Sequence, residues 1–281
     1  MEDIKKEKKH PFKNILIILL IILLSLTLYA RFIGTTGLYV REYSIINDKI
    51  PSSFHGLKII HFTDLHHGTT INISYVKKLV KTINSYKPDI IFFTGDLIDK
   101  DIVLKKDEVI ALGNALSELD ATIAKYAVKG NHDYENDYFD KAMEIAQFKV
   151  LDAKQELIYY HDETPLKLIG LPSYIKEKYT YEEENTDDIY FTILLAHEPD
   201  VFDRLNNLDI DIMLSGHSHG GQVRIPFFGA IITPYGAKKY YDEYYKINDT
   251  EMFISSGLGT SDVEFRFMNR PSINLYRLYS Y

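Results

Sequence analysis

The segment Ser215 to Gln222, written SGHSHGGQ, places two histidines one residue apart among glycines. Neutral imidazole is a common metal ligand, and glycine lets a backbone bend and approach a bound ion closely. Alternate side chains of an extended segment point in opposite directions, so His217 and His219 reach different ions only if the loop bends. In isolation the segment also fits an ordinary turn or a chance metal-binding tract.

Four further polar clusters follow short apolar runs: Asp64-Leu65-His66-His67-Gly68, Gly95-Asp96-Leu97-Ile98-Asp99, Lys129-Gly130-Asn131-His132-Asp133 and His197-Glu198-Pro199. Ligands of open α/β sheets bind at the carboxyl ends of the strands, where each of these clusters lies. Besides His67, the clusters and the opening segment hold five of the ten histidines: His66, His132, His197, His217 and His219. The pattern therefore predicts one shared metal site.

The other histidines do not fit this pattern. His10, His55 and His161 are typical of surface residues, and His61 lies within a predicted strand, where it fits the core. His67 is open to either interpretation, because it follows His66 but points elsewhere on an extended backbone.

The elements that position the clusters alternate between strands and helices. Residues 57–63 and 90–94 are short apolar runs that predict strands, and apolar residues at helical spacing predict a helix over 74–86, ended by Pro88. The continuous apolar run at 90–94 is typical of a strand buried on both faces. Strand, helix and strand indicate a right-handed βαβ unit. Three later runs predict strands before the remaining clusters, at residues 126–128, 190–196 and 210–214.

Composition narrows the chemistry. The 281 residues are enough for one large domain or two modest ones, with 46% hydrophobic and 26% charged residues. The chain has no cysteine, which excludes disulfides, thiolate catalysis and cysteine-ligated metals. A net charge of −8 disfavours a general nucleic-acid binder, because the phosphate backbone would be repelled. We therefore expect no nucleic-acid partner.

The amino-terminal region predicts a membrane anchor. A lysine-rich segment precedes the 17 uncharged residues from Asn14 to Ala30, and Arg31 can extend its charge to the interface at the end of the span. The alternative is a cleaved signal peptide, but the apolar run is longer than usual and no clear cleavage site follows. By the positive-inside rule we expect the amino terminus in the cytosol and the rest outside. The predicted organisation is a basic segment (1–13), a signal-anchor (14–33), a connector (34–50) and a catalytic domain (51–281).

Taken together, the five blocks resemble the calcineurin-like metallophosphoesterases. The resemblance rests on Asp64-x-His66, Gly95-Asp96-x-x-Asp99, Gly130-Asn131-His132-Asp133, His197 and Gly216-His217-x-His219, in the order of the family. It implies an α/β fold, a four-layer α/β/β/α sandwich, preceded here by one transmembrane helix. Each block alone is a weak signal, whereas the ordered set is highly specific.

The resemblance further implies a centre of two divalent metal ions. It assigns Asp64, His66 and His219 to one ion, Asn131, His197 and His217 to the other, and makes Asp96 the bridge. Two such ions can clamp a phosphoryl group and provide a bridging hydroxide near neutral pH. Imidazole and carboxylate ligands suit Mn, Fe, Zn or Ni, and the sequence does not choose among these metals.

The resemblance gives His132 a catalytic role, contacting the phosphate and protonating the leaving oxygen. Asp133 either holds the His132 ring in the right tautomer or caps a helix that starts near Glu135. Asp99 either orients a metal-bound histidine or caps a helix over 101–119.

The departures from protein phosphatases favour another branch. Lys100-Asp101 follows Asp99 where those enzymes carry an arginine, and the third block ends in Asp133. The segment 220–226, the segment 256–261 and the residues Arg266-Phe267 and Asn269-Arg270-Pro271 resemble the membrane- and envelope-associated phosphodiesterases. Arg224 and Arg270 are candidates for substrate phosphate or for salt bridges. The tyrosine- and lysine-rich stretch 235–246 fits either a head-group or membrane contact or an ordinary hairpin.

The sequence thus predicts an exported enzyme that cleaves phosphodiester or pyrophosphate bonds in a phosphate ester of a membrane lipid head group or an envelope polymer. The alternatives are a phosphomonoesterase with the same site and a non-catalytic metal-binding scaffold. A nuclease is disfavoured by the negative charge and the lack of a basic track. The sequence makes no prediction of oligomeric state.

Overall fold

A computed structural model describes residues 11–179, 181, 189–205 and 208–281. Within these residues the α-helices are α1 (Pro11–Leu28), α2 (Ile73–Ser85), α3 (Lys106–Ser117) and α4 (Tyr138–Ile145). The strands are β1 (Tyr39–Ile46), β2 (Lys58–Phe62), β3 (Ile90–Phe93), β4 (Ala124–Ala127), β5 (Lys149–Val150), β6 (Lys154–Ile158), β7 (Leu166–Leu171), β8 (Thr192–Ala196), β9 (Ile212–Ser215), β10 (Arg224–Ile225), β11 (Gly229–Ala230), β12 (Tyr244–Ile247), β13 (Thr250–Ile254) and β14 (Ser272–Tyr279).

The strands form two six-stranded sheets and one small hairpin. The first sheet has the order β1-β14-β2-β3-β4-β5, and the second has the order β12-β13-β9-β8-β7-β6. β14 runs antiparallel to β2, whereas β2, β3 and β4 are parallel to one another. In the second sheet β7, β8 and β9 are parallel. The strands that precede the polar clusters are therefore neighbours in the centre of each sheet.

Three apolar clusters separate the layers. Alternate residues of β2 and β3 point to opposite faces, so Ile60 and Ile91 pack under α2, α3 and α4. Ile59 and Phe92 point the other way and pack against the second sheet. The outer face of that second sheet is covered by a 3₁₀ helix (Pro199–Arg204) and loops, which form the fourth layer in the described part of the chain. The predicted α/β/β/α sandwich is confirmed.

The predicted helices agree with the structure only in part. α2 lies within one residue of the prediction, and the side chain of Asn72 caps it by accepting a hydrogen bond from the backbone N–H of Tyr75. The alternative helix over 101–119 is wrong at its start, because α3 begins at Lys106. The helix expected to start near Glu135 begins three residues later, at Tyr138, with Asp137 rather than Asp133 at its N-cap position.

The predicted connector is part of the sheet. β1 lies within residues 34–50 and pairs in parallel with β14, from Tyr39 opposite Ser272 to Ile46 opposite Tyr279. This pairing joins residues more than 230 positions apart, which local sequence patterns do not reveal. The first sheet therefore includes the strand that follows the apolar helix.

The amino-terminal helix is long and apolar enough to cross a membrane. The candidate span is Phe12–Ile33, 22 residues with mean hydropathy 2.6, and its side chains lie almost entirely outside the protein core. It consists of α1 and a π-helical turn from Tyr29 to Ile33. The predicted span, residues 14–33, lies within this helix, while residues 1–10 of the predicted basic segment lie outside the described residues.

Candidate metal centre

The polar clusters meet where the carboxyl ends of the two sheets adjoin. Loops after β2, β3 and β4 supply residues from the first sheet, and loops after β8 and β9 supply residues from the second. Six histidine and aspartate side chains form two groups there, Asp64 with His66 and His219, and Asp96 with His197 and His217. All six are buried. The topology thus brings together residues that span 155 positions of the sequence.

Asp96 lies between the two groups. Its Oδ2 is 3.1 Å from His197 Nε2 and 3.5 Å from His66 Nε2. Its Oδ1 accepts a hydrogen bond of 2.8 Å from the backbone N–H of His132. One carboxylate oxygen is therefore held by the backbone while the other faces imidazoles of both groups.

The remaining ring nitrogens converge in the same way. His66 Nε2 and His219 Nε2 are 3.1 Å apart, and Asp64 Oδ1 is 3.4 Å from His219 Nε2. Both oxygens of Asp64 accept hydrogen bonds from the backbone N–H of His217, at 3.1 and 3.0 Å. Nitrogen lone pairs that face each other at this distance need a shared proton or a cation between them.

Neighbouring groups fix the orientation of the imidazoles. His197 Nδ1 donates to the carbonyl of Thr94 at 2.6 Å, and His217 Nε2 donates to the carbonyl of Tyr235 at 2.8 Å. Asp99 Oδ2 lies 3.1 Å from His66 Nδ1. Such contacts leave the opposite ring nitrogen as the one with a free lone pair, as in histidines that bind metals.

Two buried atoms point to a cation directly. Asn131 Oδ1 has no hydrogen-bond partner among the described residues, and His197 Nε2 makes no well-aligned hydrogen bond although Asp96 Oδ2 lies 3.1 Å away; burial makes such atoms costly. A divalent ion would satisfy both, and the nitrogen and oxygen donor set suits first-row transition metals. These residues fit the two divalent ions that the sequence implies.

The backbone around the site is strained. Five candidate ligands have positive φ angles: Asp64 (50°), His66 (42°), Asp96 (57°), His217 (63°) and His219 (48°). A non-glycine residue in this region costs about 1–3 kcal/mol and persists only where the surrounding structure enforces it. Such outliers are concentrated at functional sites, and here they direct side chains from tight loops into one space.

Charge and burial oppose each other in this cluster. Burial raises the pKa of Asp64 despite the nearby His197. Burial would also raise the pKa of Asp96, but His197 and His132 lower it well below its usual value. Burial lowers the pKa of His217 to about 3, whereas the carboxylates of Asp96 and Asp64 outweigh burial and raise the pKa of His197. Protons therefore balance the carboxylates in this arrangement, and a bound cation would displace them.

His132 lies beside the cluster, with its ring centroid 4.9 Å from that of His66. Its Nδ1 accepts a hydrogen bond of 3.1 Å from the backbone N–H of Lys100. The neutral ring consequently carries its hydrogen on Nε2. Burial lowers the pKa of His132, which favours this neutral form.

The expected contact between Asp133 and the His132 ring is wrong, as is the alternative helix cap. Asp133 Oδ2 accepts hydrogen bonds from the backbone N–H groups of Asp96 and Gly130, at 2.7 and 2.9 Å, and Oδ1 accepts one from Leu97 at 2.9 Å. Asp133 thus holds the loop that carries Asp96 against the loop that carries His132. Burial and the charge of Asp96 raise its pKa to about 7.

The candidate arginines differ in their surroundings. Arg224 donates to Asp242 Oδ1 at 2.6 Å and to the carbonyl of Gly220 at 3.0 Å, so it forms the salt bridge that the sequence analysis named as its alternative role. Arg270 has an exposed side chain. In the stretch 235–246, Tyr240 is buried and donates to Asp203, which is the ordinary packing alternative.

The remaining histidines within the described residues agree with their expected positions, and His10 lies outside those residues. His61 is buried, and its Nε2 lies 2.8 Å from Thr94 Oγ1, while burial lowers its pKa to about 3. His67 is buried but belongs to neither ligand group. His55 and His161 are exposed.

Sequence reasoning did not assign Arg266 to the site. This arginine is fully buried, and its guanidinium donates to the carbonyls of Ser256 and Gly259 while Nη2 lies 3.3 Å from His219 Nδ1. The side-chain amide of Asn269 donates to the carbonyl of His219. No spacing pattern links residue 266 to residue 219, and only the fold reveals the contact.

Comparison with known proteins agrees with this centre. A model of the calcineurin-like phosphoesterase family matches residues 57–221, more than half of the chain. A Bacillus subtilis protein named uncharacterized metallophosphoesterase YkuE is 33% identical over 258 residues, covering 90% of this chain and 89% of the relative. The chain belongs to the calcineurin-like phosphoesterases.

Two further similarities are more distant. A Danio rerio protein named transmembrane protein with metallophosphoesterase domain is 24% identical over 83% of this chain, which spans 56% of that relative. The crystal structure of TT1561 of Thermus thermophilus is 12% identical, with a TM-score of 0.47, and the match covers 72% of this chain and 90% of that one. Membrane-spanning relatives accord with the apolar helix Phe12–Ile33.

Proposed function

We propose that the protein is a dinuclear metal-dependent phosphodiesterase or pyrophosphohydrolase. The observation that carries this proposal is the position of Asp96, whose Oδ2 faces imidazoles of both ligand groups at 3.1 and 3.5 Å. A carboxylate in this position suits a bridge between two cations. When bound, divalent ions would supply Lewis-acid activation of water and neutralise phosphoryl charge.

The chain's own residues would hold and orient these ions. Asp64, His66 and His219 are proposed as ligands of one ion, and Asn131, His197 and His217 as ligands of the other. Asp99 would fix the ring of His66, and Asp133 would fix the loop of Asp96 through backbone hydrogen bonds. Manganese is the first metal to test, because oxygen and imidazole ligands suit it.

His132 is proposed to contact the phosphoryl group through its Nε2–H. The backbone N–H of Lys100 occupies Nδ1, so protonation of that nitrogen would break a hydrogen bond. A hydrogen-bond donor to a non-bridging oxygen requires no such change, whereas proton donation to the leaving oxygen requires the doubly protonated ring. The geometry therefore favours stabilisation of phosphoryl charge over general acid catalysis.

The anchor suggests where the substrate lies. With a lysine-rich segment before the span, the positive-inside rule favours a cytosolic amino terminus and an extracytoplasmic domain. We propose a phosphate ester of a membrane lipid head group or an envelope polymer as the substrate.

The test uses the full chain in detergent, stripped of metal and refilled with Mn²⁺. Rates are compared on bis-p-nitrophenyl phosphate and p-nitrophenyl phosphate, with Asp96→Asn as the matched control. Manganese-dependent cleavage of the diester that is lost in Asp96→Asn supports the proposal. Preference for the monoester would favour a phosphomonoesterase, and metal binding without cleavage of either compound would favour a binding scaffold.

A further inference from the structure

The loops next to the metal centre pack against the last turns of the membrane-spanning helix. An open cavity of about 290 Å³ is lined by Leu26, Thr27 and Ala30 of the helix and by Val223, Phe265 and Phe267 of the domain. The Tyr29 ring meets the Phe267 ring edge-on at 5.8 Å. The contact begins at Leu26, and the apolar span continues to Ile33, roughly 10 Å further along the axis. These domain loops therefore lie at the depth of the membrane interface when the helix spans a bilayer.

A small apolar hairpin starts at this contact. β10 and β11 pair in antiparallel fashion, and the residues from Ile225 to Ile232 (IPFFGAII) carry no charge. Phe227 is fully exposed, Phe228 is 86% exposed and Ile232 is 75% exposed. Large apolar side chains that protrude together from a surface indicate a contact with another apolar phase.

The bilayer is the occupant that the surroundings favour. Val223, which lines the cavity together with the helix, immediately precedes β10, so the apolar surface continues from the span into the hairpin. Val263 and Met268 add exposed apolar side chains in the loop next to Phe265 and Phe267. Arg224, at the base of the hairpin, is paired with Asp242. A paired charge at the base and an uncharged tip suit insertion at the interface.

We propose that the segment Ile225–Ile232, here called the apolar hairpin, inserts its tip into the leaflet in which the membrane-spanning helix ends. The partner is thus the lipid surface itself. Insertion would narrow the substrates of the proposed phosphodiesterase or pyrophosphohydrolase site to phosphate esters at that lipid surface. This consequence rests on the proposed function.

One end of the segment that includes the hairpin contacts a candidate ligand, and the other contacts the residue next to one. Arg224 at its base donates to the carbonyl of Gly220, the residue after His219. Beyond its second strand, the carbonyl of Tyr235 accepts the hydrogen bond from His217 Nε2. Insertion of the tip would therefore fix the metal centre at a set height above the lipid phosphates.

The test exploits the absence of tryptophan from the chain. Phe228→Trp introduces a single tryptophan at the tip and replaces one exposed aromatic ring with another. The full-length variant is reconstituted in phosphatidylcholine nanodiscs with or without bromine atoms on the acyl chains, which quench nearby indoles. The matched control is Tyr281→Trp. Tyr281 is 93% exposed and lies beyond the far end of β14, a strand that extends about 25 Å from its start at Ser272.

If the proposal is right, emission of the Phe228→Trp variant shifts to the blue in nanodiscs, and brominated lipid removes most of it. The Tyr281→Trp variant keeps its emission in both lipids. Unquenched, red-shifted emission from Phe228→Trp would overturn the proposal, and so would a blue shift without quenching, which indicates cover by protein such as a second copy. The readout needs no turnover, so an inactive enzyme and a hairpin outside the membrane are distinguishable results.

Discussion

Gly130 is the position where the smallest change should damage the metal centre most. A Cβ atom on Gly130 would lie 2.6 Å from the backbone nitrogen of Asp96 and 2.8 Å from His197 Cε1, whereas ordinary contact begins near 3.4 Å. Neither neighbour can yield by a simple rotation, because one is backbone and the other is a buried ring held by Thr94. Gly130→Ala must therefore displace two candidate ligands that belong to the same group.

The required displacements set the expected magnitudes. To reach ordinary contact with the new Cβ, the backbone nitrogen of Asp96 and Cε1 of His197 must each move by more than the ~0.5 Å within which a functional site keeps its geometry. Losing the support of a ligand typically weakens metal affinity by about 10–100-fold, which is the change expected for Mn²⁺. Overpacking a buried site lowers the free energy of unfolding by about 1–3 kcal/mol. That loss corresponds to a fall in Tm of roughly 2–12 °C.

Calorimetric titration of Mn²⁺ into the full-length protein, together with thermal denaturation, measures both effects. Gly170→Ala is the matched control, since its Cβ would overlap Leu151 of the core, with Cδ1 at 2.9 Å, and none of the nearest atoms belongs to a candidate ligand. The control should lose stability but keep the Mn²⁺ affinity of the wild type. Equal Mn²⁺ affinity in Gly130→Ala and Gly170→Ala would refute the argument that residue 130 must be glycine to clear the ligands.

Three further predictions follow from the hydrogen bonds and charges of the site. In Asp133→Asn the side-chain NH₂ group faces at least one of the three backbone N–H donors that the carboxylate accepted. The free energy of unfolding measured in urea should therefore fall by about 1–3 kcal/mol. Unchanged stability would contradict the role given to Asp133. His132→Gln should lower kcat by about 10²–10³ while Mn²⁺ affinity is kept; a loss that grows with the pKa of the leaving group would instead indicate proton donation. Without metal, stability should fall as pH rises from about 7.5 to 9: the pKa of His197 is raised well above its ordinary value and that of Asp133 is raised to about 7, so protons bound only in the folded state are lost there. The lowered pKa values of His61, His67, His132, His217 and His219 act in the opposite sense, but the unfolded histidines have lost nearly all their protons by about pH 7.5. Urea denaturation of chelator-treated protein, with and without Mn²⁺, measures this slope, and a stability that stays flat or rises over that interval would contradict it.

The strand-end clusters were predictable because each polar residue directly follows a continuous apolar run. β2, β3, β8 and β9 are buried on both faces, so their sequences mark the strands, and chain direction places the clusters at one edge. What local patterns could not supply is the pairing across long separations. β1 lies in a segment with the sequence character of a connector, and only its hydrogen bonds to β14 make it part of the sheet.

Asp133 shows how spacing alone can mislead. A histidine followed by an aspartate suggests a dyad in which the carboxylate orients the ring. In the structure the N–H of Asp133 donates to the carbonyl of Gly130, which closes a turn. This turn directs the carboxylate of Asp133 toward the backbone N–H groups of Asp96 and Leu97 in the neighbouring loop. Lys100 then takes the place beside His132 Nδ1 that the dyad would have filled. The difference is chemical, because a backbone N–H fixes a neutral ring, whereas a carboxylate would have favoured the charged one.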